Sequence, residues 1–343
     1  MKPLLLAIET GGTKIQLVLG TSAGDICYRY RTLVDRKKGM QGILDKVLEA
    51  FPLLEQEAAK LGGKIECAGI GFGGPVDSKS GMAIWSAQID GWGNFPVADY
   101  FKEKTGLSAY LFNDSNAAAW GEYCRGAGRG SQIFFYTNIG SGIGGGIILN
   151  GKLFDGQGYG AAEFGQSYLY DPWYKGDSRY PVNHIERICS GWSIEQRLRS
   201  DKIPEHSVLL QLCEGHQEKI NCHLWSEAIR MNDGYALKVL EETAEYFAIA
   251  LSNVLCFYSP EVIAIGGGVS LIGDPLITRI RKYTDQYVYQ NSRGKYRIVK
   301  SELDEDVVLV GTLLLTGERY QKEGQSEWKN KTIIFWNSKM YVS

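Results

Sequence analysis

Two glycine-rich turns, each set between strand-like runs, constrain this chain most. They are Ile8-Glu9-Thr10-Gly11-Gly12-Thr13-Lys14 and Asn138-Ile139-Gly140-Ser141-Gly142-Ile143-Gly144-Gly145-Gly146. Apolar Leu4 to Ile8 precedes the first turn, and the alternating Ile15-Gln16-Leu17-Val18-Leu19 follows it. The order is strand, tight turn, strand. No helix opens at the glycines, as one would in a Walker or Rossmann loop. Glycine allows backbone N–H groups to come close to a phosphate. A hairpin whose tip grips phosphate is the geometry implied, and its recurrence predicts a duplicated nucleotide-binding architecture.

Strands and helices alternate elsewhere, which places the chain in the α/β class. Met40, Ile43, Leu44, Val47, Leu48 and Phe51 recur at helical spacing, and residues 66–71 read as a buried strand ending in the rigid turn Gly73-Gly74-Pro75-Val76-Asp77. Ala109 to Phe112 is a strand; Asn113-Asp114-Ser115-Asn116 then opens a helix through Ala117-Ala118-Ala119. After the second turn, Asn150-Gly151 is a type I′ hairpin signal. Residues 228–257 read as a long helix, and Val262 to Ile265 as an apolar strand closing in Gly266-Gly267-Gly268.

At 343 residues the chain suits two domains. Its formal charge of −2 argues against a nucleic-acid binder held by counterion release. No apolar run approaches the roughly 18 residues of a membrane helix. Met1-Lys2-Pro3 leads into a strand-like run and not a signal peptide, and seven scattered cysteines fit reduced thiols. A cytoplasmic enzyme is the expectation.

The turns and three further segments, Gly69-Ile70-Gly71-Phe72-Gly73-Gly74-Pro75-Val76-Asp77, Asn113 to Ala119 and Ile265-Gly266-Gly267-Gly268-Val269, together resemble the ROK family (repressors, open reading frames, kinases). The likeness runs from about residue 4 to about residue 317. It implies a two-domain actin/hexokinase-like ATPase fold of duplicated, ribonuclease H-like lobes. The expected limits are a small lobe over 1–115, to which 300–320 returns, a large lobe with ATP- and sugar-binding segments over 116–300, and a tail over 321–343 without assigned role.

The resemblance also implies an ATP-dependent sugar kinase, with glucose the first expected acceptor and fructose or an N-acetyl amino sugar next. Sugar phosphorylation needs a carboxylate beside the attacking hydroxyl. Asp114 is the expected base; unaided, Asn-Asp-Ser-Asn would read as a turn or helix cap. Asn113, Gly74, Glu163, Glu186 and Gln166 are the expected sugar residues, although Glu186 alone would read as a solvated helix charge. Gly11, Gly12, Thr13 and Lys14 would meet the ATP phosphates opposite Gly140, Ser141 and Gly142, with Gly267 and Gly268 on the adenosine side. Mg²⁺ is required to neutralise phosphate oxygens, with Glu9 near its shell, where many members carry Asp.

Gln166 stands where the family carries a zinc-ligating histidine, and the family's cysteine cluster is missing, so no zinc is expected. Tyr168, Tyr170, Trp173, Tyr174 and Tyr180 read equally well as an aromatic sugar platform or as loop packing. Expected partners are a small sugar and ATP, with neither nucleic acid nor membrane, and a homodimer is left open. The family's repressors carry an N-terminal helix-turn-helix, for which the eight residues before Glu9 leave no room. A catalytically decayed sugar or nucleotide sensor is the alternative reading.

Overall fold

The computed structural model describes residues 2–339 apart from Thr13, Ala87, Tyr159, Gly160, Ala161 and Ser178, with side chains described as far as Gly324. The chain forms two compact units. One holds Met1–Gly121, Gly156–Gly160 and Asp306–Ser343; the other holds Glu122–Asp155 and Ala161–Glu305.

The first unit opens with three antiparallel strands, β1 (Lys2–Thr10), β2 (Lys14–Gly20) and β3 (Ile26–Leu33). Helix α1 (Gly39–Lys60) leads to β4 (Gly63–Phe72), and a small ladder of β5 (Val76–Asp77) and β6 (Met82–Ala83) precedes α2 (Val97–Thr105) and β7 (Ser108–Asn113). The sheet order is β3-β2-β1-β4-β7, with β1, β4 and β7 parallel. Leu4 to Ile8 is continuously apolar because β1 lies inside the sheet with both faces covered. On one face Ile43, Leu44, Val47, Phe51 and Leu54 of α1 pack onto Leu4, Leu6, Ile8, Ile15, Leu17 and Leu19. Their helical spacing and the strands' alternation are the same apolar contact read from its two sides. Helix α3 (Asp114–Arg125) starts where β7 stops.

The second unit repeats this plan. Strands β8 (Ile133–Ile139), β9 (Ile143–Leu149) and β10 (Lys152–Leu153) are antiparallel. Asn150 and Gly151 turn between the last two with φ of 52° and 73°, as a type I′ turn requires. A hairpin of β11 (Tyr168–Tyr170) and β12 (Val182–His184) follows. Five helices come next: α4 (Ile185–Cys189), α5 (Gly191–Ser200), α6 (Val208–Leu212), α7 (Cys222–Arg230) and α8 (Gly234–Tyr258). Strand β13 (Val262–Gly266), helix α9 (Asp274–Tyr287) and β14 (Arg297–Lys300) complete the unit. The order β10-β9-β8-β13-β14, with β8, β13 and β14 parallel, matches the first sheet rank for rank. Asp233 caps α8 by accepting from the Ala236 N–H at 2.7 Å, and buried Trp225 donates its indole N–H to the Ala236 carbonyl at 3.1 Å.

The chain re-enters the first unit at Asp306 and forms α10 (Val307–Lys339), which covers the other face of β1 and β4 and runs on through most of the C-terminal segment. The sheet is thinned to receive it: a Cβ on Gly69 would overlap the Thr316 side chain, and one on Gly311 would overlap the Ala117 carbonyl of α3. Among the described residues no helix is long and apolar enough to cross a membrane, and all seven cysteines are free thiols.

The crossing of α3 and α10 yields a sign test on one helix. Gly311→Ala should lower unfolding stability by about 1–3 kcal/mol through overpacking. Gly324→Ala, with open space around the added methyl, should raise it by about 0.5–1 kcal/mol. Urea denaturation of both variants checks this; shifts of the same sign would contradict the packing described.

Candidate functional site

Parallel pairing aligns three strand ends in the first unit. Thr10 is opposite Phe72, and Phe72 is opposite Asn113, so the chain leaves the sheet at one end through Gly11-Gly12, Gly73-Gly74 and Asp114. Open α/β sheets bind ligands at such carboxyl ends because polar groups released by the ladder collect there. Thr10, Gly11, Gly12, Gly73, Ser86 and Gln88 line one small cleft with Phe72 and Trp92. The first turn closes on itself, with the Gly11 N–H donating to the Lys14 carbonyl at 3.2 Å. Arg36 Nε donates to the Gly12 carbonyl at 2.6 Å, and a Cβ on Gly12 would strike the Gln88 amide. Thr13 lies outside the described residues. On β1, Glu9 accepts from Gln16 Nε2 at 2.8 Å. An oxygen donor at a glycine turn fits a hard cation such as Mg²⁺, which keeps most of its own water.

Asp114 is the first residue of α3 and half-buried. Its Oδ1 accepts from the Ser115 N–H at 2.6 Å and from Ser115 Oγ at 3.1 Å. Burial outweighs these bonds and pushes the carboxyl up to about 6. Oδ2 faces the glycine loop, since a Cβ on Gly73 would lie 3.4 Å from it. Asn113 braces the same corner: its Nδ2 donates to the Gly74 carbonyl at 3.1 Å, and its Oδ1 accepts from the Asn116 N–H at 2.9 Å, capping α3. An amide nitrogen carries two hydrogens, so this brace uses one of them.

In the second unit β13 ends beside β8, with Gly266 opposite Asn138. The second turn closes through the Gly140 N–H donating to the Gly142 carbonyl at 2.9 Å. Glu186 Oε2, from the first turn of α4, accepts from the Ile143 N–H at 2.9 Å and would lie 2.5 Å from a Cβ on Gly142. Glu186 is thus set against the second glycine turn. Gly267 has φ of 84°, and a Cβ there would strike the Ile139 backbone, whereas Gly268 has open space at the same point. A backbone this bare can bring a flat or anionic ligand close.

Glu163 precedes a short 3-10 turn, Phe164–Gln166, that Gln166 ends, and both residues are exposed. The Gln166 carbonyl lies 2.7 Å from His184 Nδ1, which ties this turn to the end of β12 just before α4. The aromatic residues divide. Tyr168, Tyr170 and Tyr180 are exposed, while the Arg197 guanidinium lies over the Trp173 ring at 4.2 Å and Tyr246 meets that ring in a tilted contact at 5.3 Å. Among the described residues no three of His, Cys, Asp and Glu form a group able to hold a metal ion. Within the sequence Cys213 to His223, His216 pairs with Glu218 and Cys222 Sγ contacts the Gly191 carbonyl.

Arg36 and Gln16 beside the first turn, and His184 in the second unit, belong to no motif singled out in the sequence. Each acts through a partner more than ten residues away or across a strand pair. Only the fold supplies those neighbours.

The sequence profile of the ROK family matches residues 5–319. The glucokinase of Thermotoga maritima is 29% identical over 323 residues, covering 92% of this chain and 98% of that protein. The xylose repressor of Caldicellulosiruptor bescii is 21% identical over 322 residues, covering 91% of this chain and 77% of the repressor. A crystal structure of a ROK family glucokinase from Streptomyces griseus, in complex with glucose and AMPPNP, superposes with a TM-score of 0.78 at 30% identity, covering 91% of this chain and 98% of that one. The duplicated sheets are those of the actin/hexokinase-like ATPase fold. The chain belongs to the ROK family.

Proposed function

We propose that this protein is an ATP-dependent hexose kinase, with glucose its first acceptor and fructose or an N-acetyl amino sugar the next. Asp114 carries the reading. A half-buried carboxylate held near a pKa of 6, at the aligned ends of parallel strands and against a glycine loop, has the basicity and the setting of a general base. Similarity to proteins named glucokinase supports the sugar-kinase class and the use of ATP.

In this reading Asp114 accepts the proton of the attacking hydroxyl as the γ-phosphoryl group is approached in line. Asn113, Gly74, Glu163, Glu186 and Gln166 hold the sugar. The N–H groups of Gly12 and Lys14, and those of Ser141 and Gly142, receive the phosphates, with Gly11 and Gly140 closing their turns through their own N–H groups and Thr13 a further phosphate contact. Gly267 and Gly268 give the adenosine side an open backbone. Mg²⁺, when bound, supplies charge neutralisation at the phosphate oxygens, and Glu9 would hold its water shell. The residues carry this chemistry in a protein of the cytoplasm, where ATP and free thiols coexist.

An ADP-release assay over a panel of hexoses and amino sugars tests the proposal. Turnover is expected with glucose, and Asp114→Asn should lower kcat by about 10²- to 10⁴-fold. Binding of AMPPNP without turnover on any sugar would overturn it in favour of a sensor.

The acid limb of kcat/KM should fall tenfold per pH unit below about 6, following protonation of Asp114. An acid limb near pH 4, where an ordinary aspartate titrates, would remove Asp114 from this role.

The same shift makes a stability statement. Its folded pKa is raised, so ionised Asp114 costs stability above pH 6, and the cost fades as pH falls toward 4. Asp114→Asn should therefore melt higher than wild type at pH 7.5, with the gap closing toward pH 4. Equal melting temperatures at both pH values would contradict the burial cost.

A further inference from the structure

Gln16 lies on β2 amid Ile15, Leu17, Val18 and Leu19 and has no exposed surface. Burying an amide costs free energy unless both its ends are bonded. Here both are. Nε2 donates to Glu9 Oε2 at 2.8 Å, directly across the β1–β2 pair, and Oε1 accepts from Arg29 Nη1 on β3 at 3.1 Å. Arg29 Nη2 in turn donates to Asp306 Oδ1 at 2.6 Å, the residue just before α10. All four residues belong to the first unit.

Chemistry fixes the direction of this row. Arginine only donates and an ionised glutamate only accepts, so the amide oxygen must face Arg29 and its nitrogen must face Glu9. Asp306 anchors Arg29, Arg29 sets the amide plane, and the amide N–H holds one carboxylate oxygen of Glu9. Gln16 does this without itself placing a positive charge on the carboxylate.

We infer that Gln16 is a positioning residue that holds Glu9 at the first glycine turn in the orientation needed by the hydrated Mg²⁺ of the bound nucleotide. This rests on the kinase reading above. Outer partners of metal-facing carboxylates typically contribute about 10- to 100-fold in metal affinity.

The test is calorimetric titration of AMPPNP at a series of Mg²⁺ concentrations, on wild type, Gln16→Leu, Gln16→Glu and Arg29→Met, each first matched by circular dichroism. Gln16→Leu should need about 10- to 100-fold more Mg²⁺ for half-maximal AMPPNP binding. Gln16→Glu, which sets a second carboxylate against Glu9, should need more still. Arg29→Met, which frees the amide without touching the core, should shift the same way by a smaller factor, and it decides the matter should the Gln16 variants fail to fold. Kinase assays should show the deficit in Gln16→Leu shrinking as Mg²⁺ is raised. A wild-type Mg²⁺ dependence in a folded Gln16→Leu, or in Arg29→Met where that variant decides, would overturn the inference alone. Wild-type protein that binds no AMPPNP at any Mg²⁺ concentration would overturn the kinase reading and this inference with it.

Discussion

The parallel registration of β1, β4 and β7 is the constraint from which the first unit's chemistry follows. Buried parallel strands must pair every backbone group along their length, so polar side chains and unpaired N–H groups are displaced to the ends. Register then decides which ends meet. Thr10, Phe72 and Asn113 are brought level, and the residues that follow each of them are Gly11, Gly73 and Asp114. The second unit applies the same rule, with Asn138 level with Gly266; Gly267 follows directly on one strand and Gly140 follows after Ile139 on the other. Two sheets of one topology thus each present a bare backbone turn at a strand end. This is the pattern of a fold that handles phosphates through main-chain N–H groups instead of through long basic side chains.

Within that frame Asp114 is a local compromise. The helix that starts at this residue brings N–H donors that favour the carboxylate, while burial opposes its charge, and burial prevails. On the proposed reading of Asp114 as the base, the raised value makes the carboxylate more basic while leaving it ionised near neutrality. A neighbouring group holds this corner still: Asn113 is bonded at both ends of its amide, to the Gly74 carbonyl and the Asn116 N–H.

Much of this was legible in the sequence. Strand-turn-strand at both glycine clusters and the hairpin at Asn150-Gly151 follow from short-range rules of periodicity and turn chemistry, and the structure contains each of them; the helix expected over 228–257 is instead broken after Arg230, because Asp233 caps a new helix, α8, that begins at Gly234. Long-range closure was not legible. Gln16 sits among apolar neighbours on a strand, yet it is a buried polar residue, bonded to Glu9 across the strand pair and to Arg29, which itself reaches Asp306 from 277 residues away. Glu186 reads as a helix charge or a sugar ligand, and its bond to the Ile143 N–H depends on how α4 returns to the second turn. The aromatic residues after Gln166 look uniform in sequence, but Trp173 packs on Arg197 while Tyr168, Tyr170 and Tyr180 stay exposed on or beside the β11–β12 hairpin. Local patterns specify elements; which face of an element is covered depends on partners that sequence spacing does not name.

On the proposed reading, the aligned strand ends of the first unit hold a sugar hydroxyl against Asp114. A crystal structure with glucose and AMPPNP tests it most directly. A glucose hydroxyl is expected within about 2.6–3.2 Å of an Asp114 carboxylate oxygen, with the terminal phosphate seated at the first glycine turn on the Gly12 N–H. Glucose bound with no hydroxyl in reach of Asp114, or the triphosphate lying away from both glycine turns, would contradict it.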